Sequence, residues 1–178
     1  MSAVAPVFPL QGVLCQVRPW QPADLPALVR HANNPAVAAQ LRDVFPHPYT
    51  VADGRAFIDY AGGGMPPTAL AIVVDGEACG GTGVIPGRGN ERKTAEIGYW
   101  LGETFWGRGI AVDALTLTTR YAVEVFDVVR LEAFVIASNT RSCRVLEKAG
   151  YTHEGLRRKS FLKHGVLHDQ CCYAWVTP

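Results

Sequence analysis

Two glycines flank an arginine at Gly107-Arg108-Gly109, directly before a stretch in which apolar residues recur at helical spacing. Glycine accepts positive φ angles and lets a ligand come close to the main chain. The first turn of a helix adds free N–H groups and a partial positive charge. Together these features predict an anion site, with a phosphate as the natural ligand. A tight strand-to-helix turn that binds nothing is the other interpretation.

A second polar group lies further along the chain, where Asn139 precedes a short segment with cations at Arg141, Arg144 and Lys148. Asparagine is a good helix N-cap, and its amide could also bind a ligand. Arginine suits the geometry of phosphate, so Arg144 is a candidate for a second phosphate contact. A solvated helix face is the alternative for all three cations.

Apolar runs and turn residues predict the elements that must position these groups. A strand at residues 94–101 leads into the glycine turn, and a helix at 111–126 follows it. A strand at 131–137 and a helix at 140–148, stopped by Gly150, carry the second polar group. The full order, β α α (α) β β β α β α β β, predicts an α+β (mixed α/β) fold with a largely antiparallel sheet.

The composition is that of an ordinary globular protein, with 178 residues, 48% hydrophobic and 19% charged. This length suits one domain, which we assign to residues 13–178 behind a flexible leader at residues 1–12. The net charge of +1 lacks the basic excess that general binding to nucleic acid or to a membrane surface would require.

The composition also bears on localisation and on metal binding. The chain has no apolar run near the ~20 residues that a bilayer span needs, and its first residues lack the basic region of a signal peptide. Its five cysteines are scattered, as expected for reduced thiols in a cytoplasmic protein. Its five histidines are too dispersed for a metal site, so no metal is predicted.

Three blocks, in this order, resemble the GNAT superfamily of N-acetyltransferases, and more narrowly its Rim-type branch, which includes the acetyltransferases of ribosomal-protein N-termini. The blocks are EIGYWL at 96–101, WGRGIA at 106–111 and NTRSCRVLEKAGY at 139–151. The resemblance covers about residues 13–176. It implies a twisted sheet of about seven strands flanked by helices, with a splayed strand pair that holds the cofactor. Trp106 departs from the Gln or Arg usual in the superfamily, but an aromatic residue is normal in the Rim-type branch.

The resemblance implies that acetyl-CoA, as co-substrate, lies between the strand at 94–101 and the strand at 131–137. Its pyrophosphate would contact the N–H groups of residues 106–111. The cofactor-binding residues implied in this way are Tyr99, Trp100, Leu101, Trp106, Gly107, Arg108, Gly109, Ile110, Ala111, Asn139, Ser142 and Arg144.

Ser142 is the candidate that the resemblance gives for handling the departing thiol. In other superfamily members a tyrosine four residues later in the same helix serves as the acid, and Leu146 stands there in this chain. Ser142 would position or protonate the sulfur, directly or through water. A first-turn helix residue without a chemical role is the alternative.

Glu96 is the preferred candidate for the general base. An attacking α-amine has a pKa near ~8 and is mostly protonated at neutral pH, so it must lose a proton. Glu132, Glu154 and Asp169 are alternatives on later strands. Each of the four carboxylates could instead pair with an arginine such as Arg130.

The acceptor is the partner that the sequence determines least. The resemblance implies a primary amine, and we favour a protein or peptide N-terminal α-amine. The insert at residues 45–64 is aromatic and proline-rich, which suits a shaped pocket wall, and it lacks the dense acidic lining expected for an aminoglycoside. A small-molecule amine, a non-catalytic CoA-binding protein of the same fold and a nucleotide-binding module are the alternatives. Neither nucleic acid nor membrane is predicted as a partner, and a homodimer stays open.

Overall fold

The computed structural model of this chain describes residues 6–178, and its centre is a single eight-stranded sheet. The strands are β1 (Leu10–Gln11), β2 (Gln16–Pro19), β3 (Ala69–Val74), β4 (Glu77–Pro86), β5 (Thr94–Leu101), β6 (Arg130–Ile136), β7 (Thr152–Lys163) and β8 (Val166–Val176). Their order in the sheet is β1-β2-β3-β4-β5-β6-β8-β7. Within the described residues every neighbouring pair is antiparallel except β5 with β6, which confirms the predicted mostly antiparallel sheet.

Helices cover both faces of the sheet, as predicted. They are α1 (Leu25–Ala32), α2 (Pro35–Ala38), α3 (Val51–Gly62), α4 (Ile110–Phe126) and α5 (Thr140–Lys148). Leu115 of α4 and Leu146 of α5 are fully buried on one face, and Leu28 of α1 is fully buried on the other. Full burial of each such leucine contributes about 1.5–3 kcal/mol. None of the helices within residues 6–178 is long and apolar enough to cross a membrane.

Part of the predicted leader lies in the sheet. Residues 1–5 lie outside the described residues, whereas Leu10–Gln11 forms strand β1 against β2. The Asp113 carboxylate, in the first turn of α4, accepts hydrogen bonds from the N–H groups of Leu14 at 2.6 Å and Cys15 at 3.1 Å. This contact between residues distant in sequence fixes the turn between β1 and β2. Strand β1 is the additional strand beyond the seven or so that were predicted.

Local sequence signals set several helix ends. Thr50 and Asp53 form a capping box at the start of α3, in which each side chain accepts a hydrogen bond from the other residue's N–H group. The helix predicted at residues 36–41 ends earlier, at Ala38. Beyond it, the N–H groups of Gln40 and Leu41 bond to carbonyls three residues back, as turns, and the Leu41 carbonyl accepts a hydrogen bond from Lys163 Nζ at 2.8 Å.

The parallel pair β5 and β6 diverges soon after it begins. Register pairing covers Thr94 with Arg130, Ala95 with Leu131, and Glu96 with Glu132, and it ends there. Beyond this point β5 remains paired with β4 and β6 with β8, so the two edges that face each other keep unpaired backbone groups. The splayed strand pair implied by the resemblance is therefore present, and it opens at Glu96.

Candidate functional site

A groove of about 1510 Å³ passes through the gap between β5 and β6. It runs from α3 and the loop after α2, on one face of the sheet, to α5 and the glycine turn on the other. Every cofactor-binding residue implied by the sequence lines this groove, with the exception of Arg108. The Arg108 guanidinium instead lies over the Phe105 ring, 5.3 Å from its centroid.

The glycine turn has the backbone conformation that its sequence predicts. Gly107 and Gly109 have φ angles of +76° and +80°, a region that other residues rarely adopt. Gly109 is the N-cap of α4, and its carbonyl accepts hydrogen bonds from Val112 and Asp113. The N–H groups of Ile110 and Ala111 precede these helical bonds and belong to the unsatisfied first turn. The turn can therefore offer several N–H donors to an anion in the groove.

The start of α5 faces the glycine turn across the groove. Asn139 is the N-cap of α5, because its Oδ1 accepts a hydrogen bond from Ser142 N at 3.2 Å. The capping role is thus present, and it leaves the Asn139 amide NH₂ group to serve a ligand. The Arg141 guanidinium lies 5.7 Å from the centroid of the Trp106 ring, which links the two walls. All three cations of this helix line the groove, and they are Arg141, Arg144 and Lys148.

Ser142 has a hydroxyl partner that the sequence did not reveal. The Tyr99 hydroxyl of β5 lies 2.7 Å from Ser142 Oγ and also donates to the Ser142 carbonyl at 3.2 Å. Burial raises the pKa of Tyr99 well above its ordinary value, and the opposing effect of Ser142 is smaller. Leu146, at the usual position of the acid, is fully buried in the core. A tyrosine therefore does reach this part of the site, from a strand and not from the helix.

All four candidate bases have partners. Glu132 and Glu154 both bind Arg130, as foreseen, and Arg130 lowers the pKa of Glu154. Asp169 accepts a hydrogen bond from the Lys159 N–H group at 2.7 Å.

Glu96 forms an ion pair with Arg42. It lines the groove at the point where β5 and β6 separate, and Glu132 is its register partner on β6. No local pattern indicates the Arg42 contact, since Arg42 lies on an irregular loop 54 residues away in sequence. Sequence reasoning therefore missed it.

Aromatic side chains shape the end of the groove next to Glu96. The Phe45 ring lies 5.1 Å from Tyr49 and 5.4 Å from Trp100, centroid to centroid. Phe57 and Tyr60 of α3 line the same region. The insert predicted as a pocket wall thus borders the groove with rings, and it places a single carboxylate, Asp53, on the groove surface.

Comparison with known sequences gives a family match over most of the chain. The acetyltransferase (GNAT) domain family matches residues 16–152. The "Probable N-acetyltransferase YjcK" of Bacillus subtilis (strain 168) is 41% identical over 86 residues, 48% of this chain and 48% of that protein. The ribosomal protein uS5-alanine N-acetyltransferase of Escherichia coli (strain K12) is 30% identical over 82 residues, 46% of this chain and 42% of that protein. The chain spans about half the length of the curated relatives it matches.

Comparison with solved structures supports the same architecture. The structure of RimL, a ribosomal-protein α-N-acetyltransferase, in complex with coenzyme A superposes with a TM-score of 0.80. The superposition covers 97% of each chain at 23% sequence identity. At that identity the likeness establishes the fold.

Proposed function

Because the chain belongs to the GNAT family of acetyltransferases, whose domain matches residues 16–152, we propose that it transfers the acetyl group of acetyl-CoA to a primary amine. The preferred acceptor is a protein or peptide N-terminal α-amine. One observation carries this proposal: a single groove joins a glycine turn and three cations to an aromatic region that contains a carboxylate. A phosphate-bearing thioester and an amine can meet there from opposite faces of the sheet.

The cofactor end of the groove suits the chemical parts of acetyl-CoA. The backbone N–H groups of residues 107–111 suit the pyrophosphate, and Arg144 suits the 3′-phosphate. The unpaired edges of β5 and β6 suit the amide-rich pantetheine arm, which can hydrogen-bond as an added strand would. The RimL structure, which holds coenzyme A, has the same fold. Acetyl-CoA supplies an activated acetyl group at the centre of the gap.

The chemistry proposed is direct transfer. Glu96, directly or through one water, takes a proton from the acceptor's ammonium group, and the free amine attacks the thioester carbonyl. A backbone N–H group of β5 is available to the carbonyl oxygen as negative charge develops. The C–S bond then breaks, and the hydroxyls of Ser142 and Tyr99 give up their hydrogen bond to each other and donate to the sulfur. A second proton from the nitrogen converts the sulfur to the thiol, which balances the reaction.

Two observations favour a peptide α-amine as the acceptor. The relatives with assigned acceptors include the ribosomal protein uS5-alanine N-acetyltransferase. The acceptor end of the groove is aromatic, and within the described residues its carboxylates are Glu96, which Arg42 neutralises, and Asp53. A polycationic acceptor would be expected to need a denser acidic lining than these two groups supply.

The function is tested by measuring CoA thiol release with a panel of acceptors. The panel contains peptides with Ala, Ser or Met at the N-terminus, free amino acids, spermidine and an aminoglycoside. We expect release to be fastest with the peptides, and mass spectrometry to place the acetyl group on the α-nitrogen. Acetyl-CoA binding without thiol release from any acceptor would identify a non-catalytic CoA-binding protein. Binding of ATP in competition with acetyl-CoA would favour a nucleotide-binding module.

Tyr99→Phe and Ser142→Ala are each expected to lower kcat about ten- to hundredfold, because a hydrogen bond to a charged group contributes about 1.5–3 kcal/mol. Because the pKa of the Tyr99 hydroxyl lies far above that of a thiol, Tyr99 stabilises the leaving sulfur by hydrogen bonding and does not transfer its proton. The affinity for acetyl-CoA should change little. Steady-state kinetics at saturating acetyl-CoA measure the effect.

Tyr151→Phe is the matched control for Tyr99→Phe. The Tyr151 hydroxyl lies 2.7 Å from Thr119 Oγ1, and burial raises its pKa to about 12, as burial also raises that of Tyr99. Tyr99→Phe loses the contacts with Ser142 and Tyr151→Phe loses the contact with Thr119, and each lost hydrogen bond costs about 1 kcal/mol of stability. An equal fall in kcat for the two would mean that Tyr99 acts only through stability.

Cys143→Ala should retain acetyl transfer within about threefold, because direct transfer needs no acetylated cysteine. Cys143 lies on the buried face of α5 and packs into the core, with 9% of the residue exposed. The variant loses some packing, at about 1 kcal/mol, so a modest fall in thermal stability is expected. Loss of all transfer in a folded Cys143→Ala protein would contradict the direct scheme.

A further inference from the structure

A short loop segment crosses the acceptor end of the groove and is held at both ends. We call residues 41–45 the clasp. At its start, Lys163 Nζ, near the tip of the hairpin of β7 and β8, donates to the Leu41 carbonyl at 2.8 Å and pairs with the Asp43 carboxylate at 2.8 Å. At its end, the Phe45 ring lies on Trp100 of β5, 5.4 Å from it. The Lys163 side chain is 7% exposed and its partner Asp43 is 64% exposed, so the lysine end of this anchor is buried and the carboxylate end faces solvent.

Arg42 lies between the two anchors, and its guanidinium binds Glu96. Glu96 is the last residue of β5 that pairs with β6, and Trp100 lies four residues later on the same face of the strand. The clasp therefore crosses the opening through which an acceptor reaches the gap. The Arg42 and Glu96 side chains are 55% and 31% exposed, so their ion pair contributes little to stability and a solute can replace Arg42 at Glu96.

Carboxylates outnumber cations on the acceptor end of the groove, whose charged lining residues are Arg42, Glu96 and Asp53. The register partner of Glu96, Glu132, lies on the same face of β6, and the single Arg130 serves both Glu132 and Glu154. Asp43 and Lys163, which flank Arg42 on the loop side, bind each other, and the Arg157 guanidinium lies over the Phe134 ring of β6. When Arg42 leaves Glu96, the opening keeps an excess of negative charge that would attract an ammonium group and repel a carboxylate.

We propose that Arg42 is a specificity-determining residue. In the free chain its guanidinium occupies the place beside the Glu96 carboxylate that the acceptor's ammonium group takes on binding. This inference rests on the proposed function and narrows its substrate class. The clasp selects acceptors that bring one positive charge and no adjacent carboxylate, such as the α-ammonium group of a peptide. A free amino acid carries its carboxylate into the same negative opening and is disfavoured.

The test compares steady-state kinetics of the full chain with L-alaninamide and L-alanine as acceptors at saturating acetyl-CoA. Arg42→Gln removes the competing cation, and the KM for L-alaninamide should fall about two- to fivefold, the range that an exposed ion pair allows. The kcat should change less than twofold, and Arg42→Lys should keep the KM near that of the wild type. In a Glu96→Gln background, Arg42→Gln should leave the KM unchanged, because the effect requires the pair.

Arg30→Gln is the matched control. Arg30 forms a comparable exposed pair with Glu77 at 2.6 Å, and neither residue lines the groove. An unchanged KM for L-alaninamide in Arg42→Gln would overturn the inference while leaving the proposed function in place. A rise in the KM for L-alanine would also overturn it, since Arg42 would then bind the acceptor's carboxylate. Failure of the wild type to acetylate any amine would overturn the proposed function, and this inference with it.

Discussion

Gly109→Val is expected to weaken acetyl-CoA binding about 100-fold, a loss of ~2.7 kcal/mol. Valine at a φ of +80° distorts the turn, and its methyl groups occupy the space in front of the N–H donors that would hold the pyrophosphate. The added Cβ would lie 3.1 Å from Leu14 Cδ1, but Leu14 is 47% exposed and its side chain can move aside. The remaining strain is about 2 kcal/mol, or about 4–8 °C in thermal midpoint. Calorimetric titration and thermal unfolding measure the two effects separately.

Gly76→Val separates backbone strain from ligand contact. Gly76 lies in the turn between β3 and β4 with a φ of +82°, and a Cβ there would meet nothing within 4 Å. The two variants should therefore lose similar stability, and only Gly109→Val should lose affinity for acetyl-CoA. Wild-type affinity in Gly109→Val would show that the glycine turn does not hold the pyrophosphate.

Glu96→Gln is expected to lower kcat for an α-amine acceptor about 100-fold or more, since a positioned general base contributes about 10²–10⁴ in rate. Glutamine keeps the size of the side chain but cannot take a proton. The affinity for acetyl-CoA should stay within about twofold, because Glu96 lies at the acceptor end of the groove. The fold should be retained, because the Arg42 pair is exposed and contributes about 0–1 kcal/mol.

Glu132→Gln is the informative comparison for Glu96→Gln. Glu132 is the neighbouring carboxylate on β6, but Arg130 binds it and it does not line the groove. A loss of kcat in Glu132→Gln that exceeds the loss in Glu96→Gln would assign the base to Glu132. Equal wild-type rates in both variants would mean that the acceptor loses its proton to bulk solvent before it binds.

The fold and the family were accessible from the sequence because their signals are local. Positive φ at Gly107 and Gly109, the capping box of Thr50 with Asp53, and the end of α5 before Gly150 each depend on a few adjacent residues. The order of elements then restricts the topology. The GNAT family, predicted from three blocks, is confirmed by the family match. A ribosomal-protein N-acetyltransferase among the relatives, matched over about half its length, supports the predicted Rim-type branch.

The side-chain contacts of the site were not accessible in this way. Tyr99 meets Ser142 across 43 residues of sequence, and Lys163 meets Leu41 across 122. Such contacts depend on the relative placement of whole elements, and no periodicity or spacing records them. The roles of Glu96 and Ser142 therefore stay predictions, although the structure places both on the groove.

The short pairing between β5 and β6 has a mechanical consequence. Strands β1 to β5 and strands β6 to β8 form two antiparallel half-sheets, and three register pairs join them, with α4 connecting the strands at the junction. Few backbone hydrogen bonds join the halves, so their relative angle depends mainly on the core that they share, which includes Ile97 of β5 and Ala133 of β6. An extended ligand in the gap would bond to both free edges and would stiffen the molecule. A ligand that binds the stiffened form of the sheet therefore shifts the molecule towards that form.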